Sequence, residues 1–347
     1  MTNTPPSCDI FCVVVDNYGD AGVCWRLARQ LATEYGWQVR LWIDNPAPLR
    51  WLAPDHVNGP VDVRPWPSPW LATDTPDVVI EAFACELPPI YVEAMATRSS
   101  QPVWLNLEYL SAESWVAGCH GLPSPHPRLP RVKHFFFPGF AEDTGGLLRE
   151  RDYDTRREAF DETAFRTEFG LPAKAPGELT ISLFSYENPA LPALLKTWAA
   201  SERPIRVLRP GNDQAASKTG NLSLHPLPFL PQRRYDELLW ACDLNFVRGE
   251  DSFVRAQWAA KPFVWHIYPQ ADDAHRTKLD AFLDIHPAGG ELKAFWHAWN
   301  GDGTLDWPDF AARLPGLDGP SREWAKTLAA HPDLASKLVQ FCLERLK

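Results

Sequence analysis

Short apolar runs that alternate with helical stretches constrain this chain more than any other feature. Residues 10–15 form an unbroken apolar run, the pattern of a strand buried on both faces of a parallel sheet. A turn-rich stretch follows, Asp16-Asn17-Tyr18-Gly19-Asp20-Ala21-Gly22. Over residues 23–35, Val23, Leu27 and Leu31 recur at helical spacing, as do Trp25, Ala28 and Ala32, and Gly36 is placed to close the helix. Residues 38–43, 76–84 and 101–107 read as later strands. Strand, helix, strand at this spacing is the signature of an α/β domain.

The pattern breaks over residues 139–155, where Glu142-Asp143-Thr144-Gly145-Gly146 and the run Arg149-Glu150-Arg151-Asp152 make a linker. A second alternating series then begins. Residues 179–185, 205–208, 222–230, 243–247 and 262–267 are strand-like or extended; 191–200, 232–241 and 252–260 are helical; 321–346 is mostly helical. The expected architecture is therefore two α/β domains, 1–150 and 151–324, with a final helix over about 325–347 packing back on the first. Three proline-rich clusters, Pro60 to Pro69, Pro123 to Pro130 and Pro226 to Pro231, are read as loops, because a proline inside a central strand loses ladder hydrogen bonds. Two such halves predict a cleft between them, with ligands beyond the C-terminal ends of the strands.

Composition excludes several classes. The formal charge is −10, so a phosphate-coated polymer is repelled on average and no nucleic-acid partner is expected. No apolar run reaches membrane-spanning length, and the start, Met1 to Ile10, has neither the basic region nor the apolar stretch of a signal peptide. A cytoplasmic protein is expected. The cysteines are odd in number, seven, with no C-x-x-C pair, as in reduced core thiols. The histidines show no tight ligand spacing, although His120 and His126 share a proline-rich loop, and no metal site is expected.

Two loops carry candidate chemistry. The first, Asp16 to Gly22, lies where a strand hands over to a helix; Gly19 and Gly22 allow a tight turn and close approach of a ligand. It is neither G-x-G-x-x-G nor a P-loop. It offers two carboxylates, Asp16 and Asp20, although a helix-capping role for Asp20 fits the same spacing. The second, Arg248-Gly249-Glu250-Asp251-Ser252, has the same setting in the second half. Its helix N-terminus suits a phosphate, and Arg248 suits a bidentate phosphate contact; Asp251 or Ser252 also suits a cap. Of the aromatic residues, Phe184, Tyr186 and Phe229 fall at strand ends on the expected ligand side, where a ring stacks on a base. Gln232 follows and is placed to meet a base edge. The sixteen tryptophans are otherwise read as packing residues.

On these residues the chain resembles the EarP family, the protein-arginine rhamnosyltransferases that modify bacterial elongation factor P. The resemblance covers almost the whole chain. It is carried by DNYGDAGVCWRLARQL from Asp16, PDVVIEAFAC from Pro76, LNLEYLSAE from Leu105, GGLLRERDY from Gly145 and RGEDSFVRAQWAAKPFVWHIYPQ from Arg248. Tyr18 departs from the phenylalanine expected there. The resemblance implies two facing Rossmann-like domains, the GT-B glycosyltransferase architecture. It implies dTDP-β-L-rhamnose as donor, no cofactor, and inversion to an α-rhamnosyl-arginine. The essential carboxylates correspond to Asp16, Asp20 and Glu250. The donor contacts correspond to Gln232, Arg248, Glu250, Asp251 and Ser252, with a base-stacking ring at Phe184 or Tyr186, or at Phe229. Asn17, Tyr18 and Gly19 belong to the loop around the sugar, and Glu108 and Tyr109 are candidates for meeting the acceptor protein.

An arginine guanidinium keeps its proton above about pH 12 and is a poor nucleophile. A carboxylate pair orients it and accepts a proton once bond formation has acidified the nitrogen. Asp20 is read as that base and Asp16 as a positioning group. The charge of the leaving diphosphate is assigned to Arg248 and the helix start at Ser252 rather than to a metal. Two other readings use the same residues: a GT-B enzyme with a different acceptor, and a non-catalytic regulator that binds elongation factor P.

Overall fold

The computed structural model describes residues 4–16, 18–67, 69–70, 74–127, 129–212, 214–270 and 272–346; Asn17 lies outside the described residues. The chain divides into two compact units, Met1–Arg151 with Ala329–Lys347, and Asp152–Leu328.

The first unit is built on a sheet of β1 (Ser7–Cys12), β2 (Gln38–Ile43), β3 (Val61–Pro65), β4 (Val78–Ala82), β5 (Val103–Leu107), β6 (Pro123–Pro125) and β7 (Val132–Phe136). Their order is β3-β2-β1-β4-β5-β7-β6, and every pair is parallel except β6 with β7. After β1 the chain winds outward through β2 to β3, then crosses back to lay β4 on the other side of β1. The C-terminal ends of β1 and β4 therefore flank a point where the winding reverses, the place at which open α/β sheets bind ligands. Helix α1 (Gly19–Tyr35) follows β1 and ends in Gly36, whose φ of 72° is the left-handed cap that glycine adopts without strain. The C-terminal helix Leu334–Arg345 belongs to this unit; Asp333 caps it and also accepts from the Gln30 amide of α1 at 3.0 Å. One side of the sheet carries a packed cluster of Phe11, Trp42, Val79, Leu87, Tyr91, Met95 and Trp104.

The second unit repeats the plan with β8 (Leu179–Leu183), β9 (Ile205–Pro210), β10 (Ser217–Thr219), β11 (Leu222–Leu227), β12 (Leu244–Arg248) and β13 (Phe263–His266). Their order is β10-β11-β9-β8-β12-β13, with only β10 antiparallel to its neighbour. The winding reverses between β8 and β12. Trp198, Phe246 and Trp299 pack edge to face in its core, Phe246 lying 5.7 Å from Trp198 and 4.9 Å from Trp299. The tryptophans are mostly core residues, as their number predicts, with Trp51 and Trp115 about half exposed.

Two readings need correction. The proline clusters are not all loop: Pro65 ends β3, Pro123 and Pro125 bound β6, and Pro226 pairs with Arg209 inside β11. β3 and β6 are edge strands, and Pro226 lies beyond the stretch of β11 that β10 covers, so each proline sits where no neighbour needs its missing N–H. The stretch read as mostly helical over residues 321–346 is two helices, of which the first begins earlier than read, running Trp307–Ala329 through Pro315 and Pro320 before a break and the final helix Leu334–Arg345. Leu314, Leu317, Trp324 and Leu328 keep the helical period and are buried, so packing outweighs the two prolines. No helix of the described residues is long and apolar enough to cross a membrane.

Candidate active site

Both loops singled out in the sequence lie at the reversal points of their sheets. In the first unit the turn after β1 is tied by its own backbone, Gly19 N–H donating to the Asp16 carbonyl at 2.8 Å. Tyr18 occupies the N-cap of α1 and makes no side-chain cap. Asp20, in the first turn, does not cap its helix either. Its carboxylate reaches backward, and Oδ2 accepts from the N–H groups of Val15 and Asp16, both at 2.8 Å. The Tyr109 side chain, from beyond β5, also acts on this carboxylate. Asp20 is only 2% exposed, whereas Asp16 is half-buried. Burial pushes the Asp20 pKa above its ordinary value; the charge of Asp16 adds to this, and the two backbone N–H groups and Tyr109 oppose it. The result is a dehydrated carboxylate of raised basicity beside a second, more accessible one.

Gly19 is required by close approach. A Cβ there would lie 2.5 Å from Asp16 Oδ2, so the Asp16 carboxylate rests against the glycine. Gly19→Ala leaves the backbone room it needs and favours helix, but forces the Asp16 side chain aside. The expected outcome is an unchanged melting temperature with activity lower by about 10- to 100-fold. Wild-type turnover in this variant would show that the placement of Asp16 is immaterial.

The turn after β4 borders the same point. Phe83 and Ala84 both have left-handed backbones, φ 59° and 56°, which costs a non-glycine residue about 1–3 kcal/mol. Surrounding bonds hold them there: Phe83 N–H donates to the Leu107 carbonyl at 2.7 Å and Ala84 N–H to Asn106 Oδ1 at 3.2 Å. The Phe83 ring stacks on Tyr109, with centroids 4.3 Å apart and planes 14° from parallel. Glu108, half-buried, accepts from Asn106 Nδ2. Of the two residues assigned to the acceptor protein, Tyr109 is near enough to Asp20 to lower its pKa. Phe83 was not visible in the sequence as a site residue.

In the second unit Arg248 ends β12, and its guanidinium lies 4.2 Å from the Phe184 ring and 4.8 Å from the Tyr186 ring, with Nη1 donating to the Ser185 carbonyl at 3.2 Å. One face of each of these rings thus meets a cation of the chain itself. Phe229 lies against Gly211, at the end of β9. Gly249 makes the turn after β12 with φ +60°, and its carbonyl accepts from Trp265 Nε1 at 2.8 Å. Glu250, half-buried, is the N-cap of the helix Asp251–Ala259 and provides no side-chain cap. Nor does Ser252 cap it: its hydroxyl donates to the Arg248 carbonyl and accepts from Arg248 N–H at 3.0 Å, fastening the helix start to the strand end. Gln232 and Asp251 are brought together, the amide donating to Asp251 Oδ2 at 2.8 Å. Asp251 is linked in turn through Arg255 to Asp236 and Arg156. His266 and Tyr268, not singled out in the sequence, flank Tyr186 at 5.3 and 5.6 Å. The His266 pKa is lowered to about 4 by burial and then by Arg248, so its ring is neutral at physiological pH. The signal for both was their place at the end of a predicted strand. Among the described residues no group of three or more His, Cys, Asp or Glu side chains is gathered as a metal site would need.

Two Rossmann-like units, each with a polar loop at its reversal point, are the architecture of GT-B glycosyltransferases. Structures of that class align along the chain; MurG of Acinetobacter baumannii does so with a TM-score of 0.52 at 12% identity over 98% of this chain and all of that one, a likeness of fold. The chain belongs to the EarP family: the family model for the elongation factor P (EF-P) rhamnosyltransferase EarP matches residues 8–343. The protein-arginine rhamnosyltransferase of Pseudomonas putida is 48% identical over 96% of this chain and 97% of its own length, and that of Neisseria meningitidis serogroup B 44% over 99% of each. A solved structure reporting the basis of EarP-mediated arginine glycosylation of translation elongation factor EF-P is 34% identical, with a TM-score of 0.67 over 98% of this chain and 99% of that one. The protein is a glycosyltransferase.

Proposed function

We propose that the chain transfers L-rhamnose from dTDP-β-L-rhamnose to an arginine side chain of elongation factor P in the cytoplasm, with inversion and without a metal ion. The arginine acceptor rests on the names of the relatives, protein-arginine rhamnosyltransferases, and elongation factor P on the family and the solved structure. The single observation that carries the chemistry is the Asp16 and Asp20 pair at the end of β1, with Asp20 dehydrated. A guanidinium is a cation, and a carboxylate pair holds it in a fixed orientation. One guanidinium nitrogen attacks the anomeric carbon as the bond from that carbon to the diphosphate oxygen breaks. The nitrogen loses basicity as the C–N bond forms, and its proton passes to Asp20. A raised pKa makes Asp20 a better base than an exposed aspartate. Asp16 aligns the guanidinium, and Asn17, Tyr18 and Gly19 shape the loop around the sugar. Glu108 and Tyr109 border the same site on the acceptor side, and a net charge of −10 suits a basic acceptor surface.

The donor half falls to the second unit. Arg248 and the uncapped start of the helix Asp251–Ala259 take the charge of the departing diphosphate. Glu250 holds the sugar, Gln232, Asp251 and Ser252 complete the nucleotide contacts, and a ring of Phe184, Tyr186 or Phe229 meets the base. The test is transfer in excess EDTA, with the anomeric configuration of the product read by NMR. Undiminished transfer giving α-rhamnosyl-arginine is expected. Loss of turnover restored by magnesium would overturn the metal-free mechanism, and a β-linked product would overturn inversion.

A further inference from the structure

A ladder of buried polar side chains joins two helices of the second unit. Gln232 and Asp236 stand one turn apart on the helix Gln232–Ala241, and Asp251 and Arg255 one turn apart on the helix Asp251–Ala259, so each pair shares a face of its helix. The two faces meet rung by rung. Gln232 Nε2 donates to Asp251 Oδ2 at 2.8 Å, and Arg255 Nη1 donates to Asp236 Oδ1 at 2.8 Å. A diagonal closes the ladder, Arg255 Nε donating to the same Asp251 Oδ2 at 3.4 Å. The second oxygen of Asp236 accepts from Arg156 Nη2 at 3.0 Å, out of the short helix Tyr153–Glu158. Asp236 is fully buried and Arg255 is 2% exposed. Apolar side chains of this size would hold two helices together as well, without the cost of taking charges out of water. The ladder therefore points to placement rather than to cohesion.

We infer that Arg255 is a positioning residue that sets which nucleobase the donor carries, acting through Asp251 and Gln232. Asp236 holds the guanidinium, the guanidinium holds Asp251, and Asp251 holds the amide of Gln232, the side chain read as meeting a base edge. An amide has a donor end and an acceptor end, and a free one turns to suit its partner. An ionised carboxylate accepts only, so the amide nitrogen must face Asp251, and the orientation of Gln232 is settled before a ligand arrives. Thymine and cytosine differ in just this respect. Thymine presents an N–H at the ring nitrogen beside a carbonyl; cytosine presents a bare ring nitrogen beside an amino group. A fixed amide tells them apart, whereas one free to turn does not. Without Arg255 the Asp251 carboxylate loses its buried counter-charge and turns toward water, and Gln232 is released. Arg255 acts on the donor only through these two side chains.

The inference rests on the nucleotide contacts proposed for Gln232 and Asp251, and its test separates the two. Binding of dTDP and of dCDP is measured by calorimetry in the full-length protein. The wild type is expected to favour dTDP. Arg255→Met fills a similar volume without charge. It is expected to weaken dTDP about tenfold, the worth of one well-placed hydrogen bond, and to leave dCDP unchanged, so that the preference falls. Asp251→Asn has an amide that either accepts or donates, which leaves Gln232 free to turn, and it is expected to lower the preference likewise. The double variant Arg255→Met with Asp251→Asn matches Asp251→Asn alone, because Arg255 acts only through that carboxylate. A general loosening of the fold weakens both nucleotides alike, so an unchanged ratio of affinities in Arg255→Met would overturn the inference. A wild type that binds dTDP and dCDP equally, or multiplicative losses in the double variant, would do the same. Should Arg255→Met not fold, an unchanged ratio in Asp251→Asn would overturn it equally. The expected ratios in a protein that transfers no rhamnose would leave the inference standing and remove the proposed function.

Discussion

Asp20→Asn stops sugar transfer without weakening the fold. The loss expected in kcat is about 10²- to 10⁴-fold, the range for removing a general base, while dTDP binds as in the wild type because the donor contacts proposed above all belong to the other unit. The asparagine oxygen can still accept from the Val15 and Asp16 N–H groups, so the turn keeps its shape. Stability has a defined sign. The pKa of Asp20 is raised in the folded protein, chiefly by burial. An acid of this kind favours the folded state fully below its unfolded pKa, and that contribution is lost as pH rises through the folded pKa. At pH 7 the ionised carboxylate is therefore a cost to the fold, and asparagine removes it. Asp20→Asn is expected to melt no lower than the wild type at pH 7, with any advantage fading as pH falls toward the ordinary carboxylate range. Thermal melts across pH beside a turnover assay check both parts. A variant that melts well below the wild type at pH 7 would mark Asp20 as structural.

The second large effect is at Arg248, where lysine is not a conservative change. The guanidinium lies over two rings and donates to the Ser185 carbonyl at the same time. An ammonium is a point charge that matches neither the flat stacking nor the fork of a diphosphate contact. Arg248→Lys is expected to raise the donor KM by about 10- to 100-fold. It also lowers kcat, because less charge is neutralised on the departing diphosphate. Calorimetry with dTDP isolates the binding part. Wild-type dTDP affinity in Arg248→Lys would mean that Arg248 serves only to order Phe184 and Tyr186.

The parts of the fold legible in the sequence are those whose signal is local and uninterrupted. β2 and the helix Gln232–Ala241 fall where the periodicity places them. The strand read over residues 76–84 ends two residues early, at Ala82, because Phe83 and Ala84 turn left-handed. No composition signals this, since the bonds that hold the pair come from β5 and β1. The helix Trp307–Ala329 was obscured by Pro315, Gly316, Gly319 and Pro320, breakers that buried packing overrides. Of the proposed site, Asp16, Asp20 and the Arg248 to Ser252 loop are named by the sequence through their place after strand-like runs, and the structure puts both loops after strands β1 and β12. Their partners are not named by it. The pairing of Gln232 with Asp251, the rings beneath Arg248 and the stack of Phe83 on Tyr109 all join residues distant in sequence, and sheet topology alone brings them together.

The central claim is that this chain places rhamnose on an arginine of elongation factor P, and one measurement meets it directly. The protein is incubated with dTDP-β-L-rhamnose and the elongation factor P of the same organism, and the acceptor is weighed by intact-mass spectrometry and mapped by peptide fragmentation. The account predicts a gain of one deoxyhexose on a single arginine, absent when Asp20→Asn replaces the wild type. An acceptor whose mass does not change, in a reaction where the protein still binds dTDP, would contradict it.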